Sequence, residues 1–293
     1  MWFLLSILSA IIYSFRGVLE KKTIQNVDKF VLGLAIRLFA FPFFFLPFIF
    51  NPKLAEPLFQ TNLNFWFAVI FVSFICTPVE TYFYYSALKD EELTTVLPIL
   101  SLGPILTLFI GSFTLKEVPT IFGLLGVVMI TFGIYTLKIQ HAREGFLEPI
   151  KHLGKNKAIQ FMFIVMVSQS VGAIFDKVGV SNANAYIYAF FNYFFVCISL
   201  SIIAMIKARQ HLKQILINYK TFIIISFIIA SYTLLYLSAL ESGFAAYVSA
   251  IKNTYILFSI ILGLVFLKET EGKQKIFAGL IIVIGLVLVK VFA

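Results

Sequence analysis

Apolar residues in this chain collect into long runs, at roughly 2–19, 30–50, 63–88, 93–114, 119–138, 158–178, 185–206, 221–240, 244–266 and 274–292. The connections between them are short and polar, the longest covering about 139–157. Strands of a membrane barrel would alternate in polarity over about ten residues, and these runs do not. A continuous run of roughly 20 apolar residues is what an α-helix needs to cross about 30 Å of hydrocarbon. Lipid also offers no partner to backbone N–H and C=O groups, so such runs have to be helical. The pattern predicts an all-α polytopic membrane protein with ten transmembrane helices.

The runs repeat. A shift of 152 residues lays Ser86-Ala87-Leu88 on Ser238-Ala239-Leu240, Gly111 on Gly263, and Leu115-Lys116-Glu117 on Leu267-Lys268-Glu269. The same shift pairs Gly133 with Gly285 and Lys138 with Lys290. Nearer the start a shift of 156 pairs Ser14 with Ser170, Glu20-Lys21 with Asp176-Lys177, and Asn26 with Asn182. The chain therefore divides into a five-helix repeat at 1–138, a connecting loop at 139–157 and a second five-helix repeat at 158–293. Five spans is an odd number, so the second copy enters the membrane upside down. A 5+5 inverted repeat is transporter architecture, with the substrate site near the midplane between the copies.

Composition narrows the function. Of 293 residues, 60% are apolar and 13% charged, against about 25% charged in soluble domains. Soluble classes are excluded. The net charge of +9 sits mostly in loops, where it reads as topology and not as nucleic-acid binding. His141, His152 and His211 all fall in polar connections, and Cys76 and Cys197 lie far apart in apolar runs. No metal, cofactor or disulfide is expected from these residues. The start, Met1-Trp2-Phe3, has no basic n-region, and we read it as a first span and not a signal peptide.

Charges inside a span cost at least about 2.5–3.5 kcal/mol and ask for a reason. Lys252 is the ninth residue of its run, about 12 Å deep at 1.5 Å per residue, and its repeat counterpart is Leu100. It is expected to contact an anion in a central cavity; pairing with a carboxylate to hold helices together is the alternative. Arg37 lies eight residues into the second run and aligns with Tyr193, and Arg16 lies late in the first, a cavity group or an interfacial anchor. Glu80 is the acid well inside a run, two residues after an expected kink at Pro78. It is expected to pair with Lys252, Arg37 or Arg16, or to take a coupling proton. Glu20, Asp176 and Glu241 stand at run ends and are expected at the interface. Three deep cations against one acid favour a substrate bearing a carboxylate or phosphate. Tyr84 with its counterpart Tyr236, and the neutral groups Gln169, Asn192, Ser249 and Asn253, complete the candidate site. Gly123, Gly126, Gly133, Gly279 and Gly285 read as close helix contacts within a monomer, a dimer being the alternative. Pro98 and Gly103-Pro104 predict a broken fourth helix.

Two five-helix halves, each with a small-residue corner between its third and fourth helices and a fourth helix ending in Gly…Leu-Lys-Glu, resemble the drug/metabolite transporter superfamily. The EamA-type ten-helix branch is the best match, over the whole chain. The stretch from Ser249 through Lys252, Asn253 and Thr254 to Phe258 is similar to a Lys-Arg-Thr-Ser-Pro-Leu-Phe pattern in the ninth helix of that branch. Asn253 stands where the pattern has Arg, and Ile256 where it has Pro. The resemblance implies export or exchange of small metabolites by alternating access, with substrates from amino acids to nucleotide sugars and organic cations. A channel or an intramembrane enzyme is the rival reading; no paired acid and base or nucleophile constellation supports an enzyme. The partners expected are a small-molecule substrate and the bilayer of the cell (inner) membrane.

Loop charge predicts orientation. Setting aside Arg16, Arg37 and Lys252, 20 of the 23 Lys and Arg residues lie in or near connections. Lys53, Lys116, Lys177 and Lys290 fall on the side of the termini, and the other 16 fall opposite. The positive-inside rule then puts both termini outside, although ten-helix relatives are commonly described with both in the cytosol. A reporter active only in the cytosol, fused after Ala293, should stay dark; a bright signal reverses the assignment.

Overall fold

The computed structural model describes residues 1–90, 97–138, 156–258 and 273–292, all of whose regular structure is helical. Among the described residues six helices are long and apolar enough to cross a membrane: α1 (Trp2–Ile24), α2 (Lys29–Phe50), α3 (Leu63–Lys89), α6 (Lys157–Ser181), α7 (Ala185–Lys207) and α8 (Tyr219–Ser242). Shorter helices fill the places between and after them: α4 (Gly103–Thr114), α5 (Ile121–Lys138), α9 (Ala245–Asn253) and α10 (Lys273–Phe292). Leu4, Phe45, Phe109 and Phe227 are among many large apolar side chains on the outside, a surface suited to lipid and not to water. The loop at 139–155, with His141 and His152, lies outside the described residues, as do Gly263 and Leu267-Lys268-Glu269 of the second repeat.

Local chemistry sets the helix ends. The Asp28 carboxylate caps α2 by accepting from the N–H groups of Phe30 and Val31, and Asn184 caps α7 by accepting from Ile187. Positions 28 and 184 are repeat counterparts at the 156 shift. Lys21 Nζ donates to the carbonyl of Leu88, and Lys177 Nζ donates to that of Leu240 at 2.5 Å. Both ends of that second bond are again counterparts. A cation placed on the last carbonyls of a helix suits the negative end of its dipole.

Packing follows the same exchange. The helix α1 packs on α8 as α6 packs on α3, and α2 meets α8 as α7 meets α3. Helices that the repeat exchanges with each other also touch directly: α2 with α7, α4 with α9, and α5 with α10. The tightest of these crossings uses glycine. A Cβ on Gly126 would lie 2.9 Å from the carbonyl oxygen of Gly285, and one on Gly285 would lie 2.8 Å from that of Gly126. A Cβ on Gly133 would lie 3.0 Å from the carbonyl oxygen of Ala278. Because Gly126 matches Ala278 and Gly133 matches Gly285, the two contacts are one contact seen twice. These glycines make their contacts within the chain, whereas the nearest neighbour of Gly279 among the described residues is Leu257, at an ordinary 3.6 Å.

Two helices break where proline or glycine allows it. Before α4 the chain runs as a 3₁₀ segment, Leu97–Leu102, and Pro104 then sits in the first turn of the α-helix, where its missing N–H costs nothing. In α3 a π turn, Val72–Cys76, precedes Thr77-Pro78. The π turn adds one residue, so at its start the repeat shift becomes 153 and Ser73 matches Ser226. Both serines do the same thing: Ser73 Oγ donates to the carbonyl of Asn192 and Ser226 Oγ to that of Ile36, at 3.1 and 2.8 Å. Placing leucine at Gly126 or Gly285 should destabilise the protein by about 1–3 kcal/mol through overpacking. Gly279→Ala should leave the melting temperature in detergent unchanged, and equal losses at all three positions would refute this account of the crossing.

Candidate functional site

A cavity of about 140 Å³ lies between the repeats, walled by residues of α1, α2 and α3 from the first and α6, α7, α8 and α9 from the second. Its polar lining is dense for the interior of an apolar chain. Arg16, Arg37, Glu80, Asp176 and Lys252 all reach it, with seven tyrosines, among them Tyr84 and Tyr236.

Arg16 follows the break in α1 at Phe15 and points inward. Its Nε lies 2.7 Å from Glu20 Oε1, and its Nη1 donates to the hydroxyls of Tyr232 at 3.0 Å and Tyr13 at 3.2 Å. The Tyr85 hydroxyl donates to the same Glu20 oxygen at 2.9 Å. Glu20 is fully buried, which corrects its expected place at the interface. The physical reason is the i, i+4 spacing: one turn of helix sets Glu20 under Arg16, and a buried cation needs a charged partner. Arg16 is accordingly neither an anchor at the membrane surface nor a free cation.

Asp176 corrects the same expectation. It lines the cavity and accepts from the Tyr188 hydroxyl at 2.8 Å. Glu241 does sit at an exposed helix end, where Oε1 accepts from the N–H of Ala185 at 2.6 Å. With Glu20 and Asp176 counted, three cations face three acids. The excess of positive charge read from the sequence is gone.

Lys252 stands on the wall with its Nζ 4.7 Å from the centre of the Tyr236 ring, a cation–π contact. It lies within electrostatic reach of both Glu80 and Asp176. Arg37 faces the cavity from α2, near Tyr193 and Tyr85, and its Nη1 is buried without a hydrogen-bond partner among the described residues. Gln169 lines the wall from α6, and Asn192 from α7, where its amide donates to Ser73 Oγ at 3.3 Å. Asn253 and Ser249 are not on the wall. Successive residues of a helix are turned by about 100°, so Asn253 points away from the face of Lys252 and reaches towards the Leu100 carbonyl at 3.5 Å. Ser249 is buried in the packing of α9.

The π turn in α3 borders the cavity through Val72 and Thr77. A helix broken there leaves carbonyls without helical donors, and Pro78 supplies none. A hydroxyl from the other repeat fills the gap, Ser199 Oγ donating to Ser73 O at 2.7 Å, and Ser168 Oγ adds a second contact, to Cys76 O at 3.2 Å. A broken span at a site is tolerated in lipid only when its backbone is satisfied in this way. Among the described residues no group of three or more His, Cys, Asp or Glu side chains is placed to hold a metal.

Sequence reasoning missed Asp176 as a wall residue, and with it Tyr13, Tyr188 and Tyr193. The signal for Asp176 was present, since the 156 shift pairs it with Glu20 and Glu20 stands one turn from Arg16.

A second feature fixes the start of α9, the helix that carries Lys252. Lys116, exposed in the turn after α4, adopts a left-handed backbone with φ 57°, a conformation where glycine is usual. It turns Glu117 back, so that Oε2 accepts from the N–H of Ala245 at 2.8 Å and caps α9. Lys177 Nζ lies 4.0 Å from the other carboxylate oxygen.

A solved structure titled "Crystal structure of protein" superposes on 99% of this chain and 97% of its own with a TM-score of 0.75, at 14% sequence identity, which shows a shared fold. No curated protein matches the sequence. The model of the EamA-like transporter family matches residues 1–138 and again 156–291, once for each repeat, and the chain is a member of that family.

Proposed function

We propose that the protein is a secondary active transporter that moves a small polar metabolite across the cell membrane by alternating access. The observation that carries this is the cavity: it lies between the repeats, takes its wall from both, and presents ionisable groups that a helix bundle would not bury for packing alone. The unit is a monomer of ten spans in two inverted five-helix repeats, 1–138 and 158–293, joined by 139–157, with both termini outside. Rocking one set of helices against the other would open the cavity to each side in turn. It acts as a carrier and not an enzyme.

A carboxylate or phosphate on the substrate would meet Arg37 and Lys252, the cations not held by Glu20. Asp176 favours a second reading of the same carrier. With acids and free cations in balance, an amino acid or another substrate bearing a positive group also fits.

Reconstituted into proteoliposomes, the protein should give saturable uptake that is stimulated by substrate on the far side; unsaturable flux would make it a channel. Lys252→Ala should lower that uptake at least tenfold while the melting temperature holds. Lys252→Arg should impair it less, because a planar fork replaces a point charge over the Tyr236 ring. Full transport by Lys252→Ala would remove Lys252 from the site.

A further inference from the structure

The two repeats allow one half of the cavity to be compared with the other. In the first half, Arg16 is gripped by Glu20, Tyr232 and Tyr13, with Tyr85 on the same carboxylate. The 156 shift, which carries Lys21 to Lys177, converts Arg16 to Gly172, Glu20 to Asp176 and Tyr13 to Gln169. The 152 shift, which carries Leu88 to Leu240, relates Tyr232 to Glu80 and Tyr85 to Leu237. All five members of the second set line the cavity. The acceptors have been kept and made more acidic, since a tyrosine hydroxyl has become a carboxylate. The arginine has become a glycine.

A side chain fits there without a clash. A Cβ on Gly172 would have Cys76 Cβ at 3.8 Å, Cys76 Sγ at 3.9 Å and Glu80 Oε1 at 3.9 Å as its nearest neighbours, all ordinary contacts. Neither Glu80 nor Asp176 is in an ion pair among the described residues. Lys252 and Arg37 lie within electrostatic reach of Glu80, and Lys252 within reach of Asp176, but Lys252 is stationed over the Tyr236 ring.

We propose that Asp176, Glu80 and Gln169, around the side-chain-free face at Gly172, form a cation subsite that takes the guanidinium or ammonium group of the substrate in the position Arg16 fills in the other half. The assignment rests on reading the cavity as the transport site. A guanidinium has N–H donors in a fixed fork, and Arg16 already displays how this geometry holds one: a carboxylate on Nε and two oxygens on Nη1. The equivalent oxygens in the second half belong to Asp176, Glu80 and the Gln169 amide. The substrate supplies the cation that the chain omits, and the internal repeat has left its outline.

The test is direct binding to the full chain purified in detergent, by thermal unfolding and titration calorimetry. The probes are methylguanidinium and methylammonium chlorides, with the neutral N-methylurea and equimolar sodium chloride as comparisons. The two organic cations should bind saturably and raise the melting temperature, and the urea and sodium chloride should not. Asp176→Asn and Glu80→Gln, which keep shape and remove charge, should each weaken binding at least tenfold. Gly172→Arg places a tethered guanidinium one turn from Asp176 and should abolish binding while leaving the melting temperature equal or higher. Should Gly172→Arg fail to fold, the two isosteric variants decide alone. Absence of binding, equal stabilisation by sodium chloride or methylurea, or unchanged affinity in both isosteric variants would overturn the subsite. Saturable cation binding by a protein that carries nothing across proteoliposomes would keep the subsite and overturn the transport reading; saturable uptake with no cation binding would do the reverse.

Discussion

Water does not reach the hydrocarbon core of a bilayer, and the polar groups of this chain are arranged around that constraint. Several helix ends and breaks that a soluble protein would leave to solvent are answered here by side chains. Lys21 and Lys177 cover the last carbonyls of α3 and α8. Ser199 of α7 covers the Ser73 carbonyl that the π turn and Pro78 leave without a donor. Glu20 exists in the interior only because Arg16 and Tyr85 meet it there. Among the described residues, Arg37 Nη1 and Thr81 Oγ1 remain unanswered at the cavity, where a guest can complete them.

The halves agree where they hold the fold together and disagree where they face the cavity. Caps, lysine contacts, serine contacts and the glycine crossing of α5 with α10 all recur under the repeat. Arg16 against Gly172, Tyr232 against Glu80, Arg37 against Tyr193 and Lys252 against Leu100 do not. A symmetric frame is what the proposed exchange between outward and inward states would need, since the two repeats could then trade packings of similar energy. An asymmetric lining gives the site one chemical polarity, which recognition requires.

Much of this was legible in the sequence. Long apolar runs fix helices because lipid leaves the backbone no other choice, and the register of Leu-Lys-Glu and the glycines exposed the repeat. Deep charges were legible as a class, and Lys252, Arg37, Glu80 and Arg16 do share one cavity. Linear position failed at Glu20 and Asp176, because distance from the end of a run says nothing of helix tilt or facing. Asn253 was drawn into the site by proximity to Lys252, although neighbours on a helix face different ways. The π turn left no mark beyond Pro78, since one added residue is invisible among apolar neighbours until the serine contacts of the two halves are compared.

The Glu117 cap joins the halves mechanically. The helix that carries Lys252 begins at an N–H held by a carboxylate from the other repeat, at the end of α4. A displacement of α4 along its axis would therefore be passed through this bond to the start of α9, and Lys252, two turns further along the same helix, would move with it.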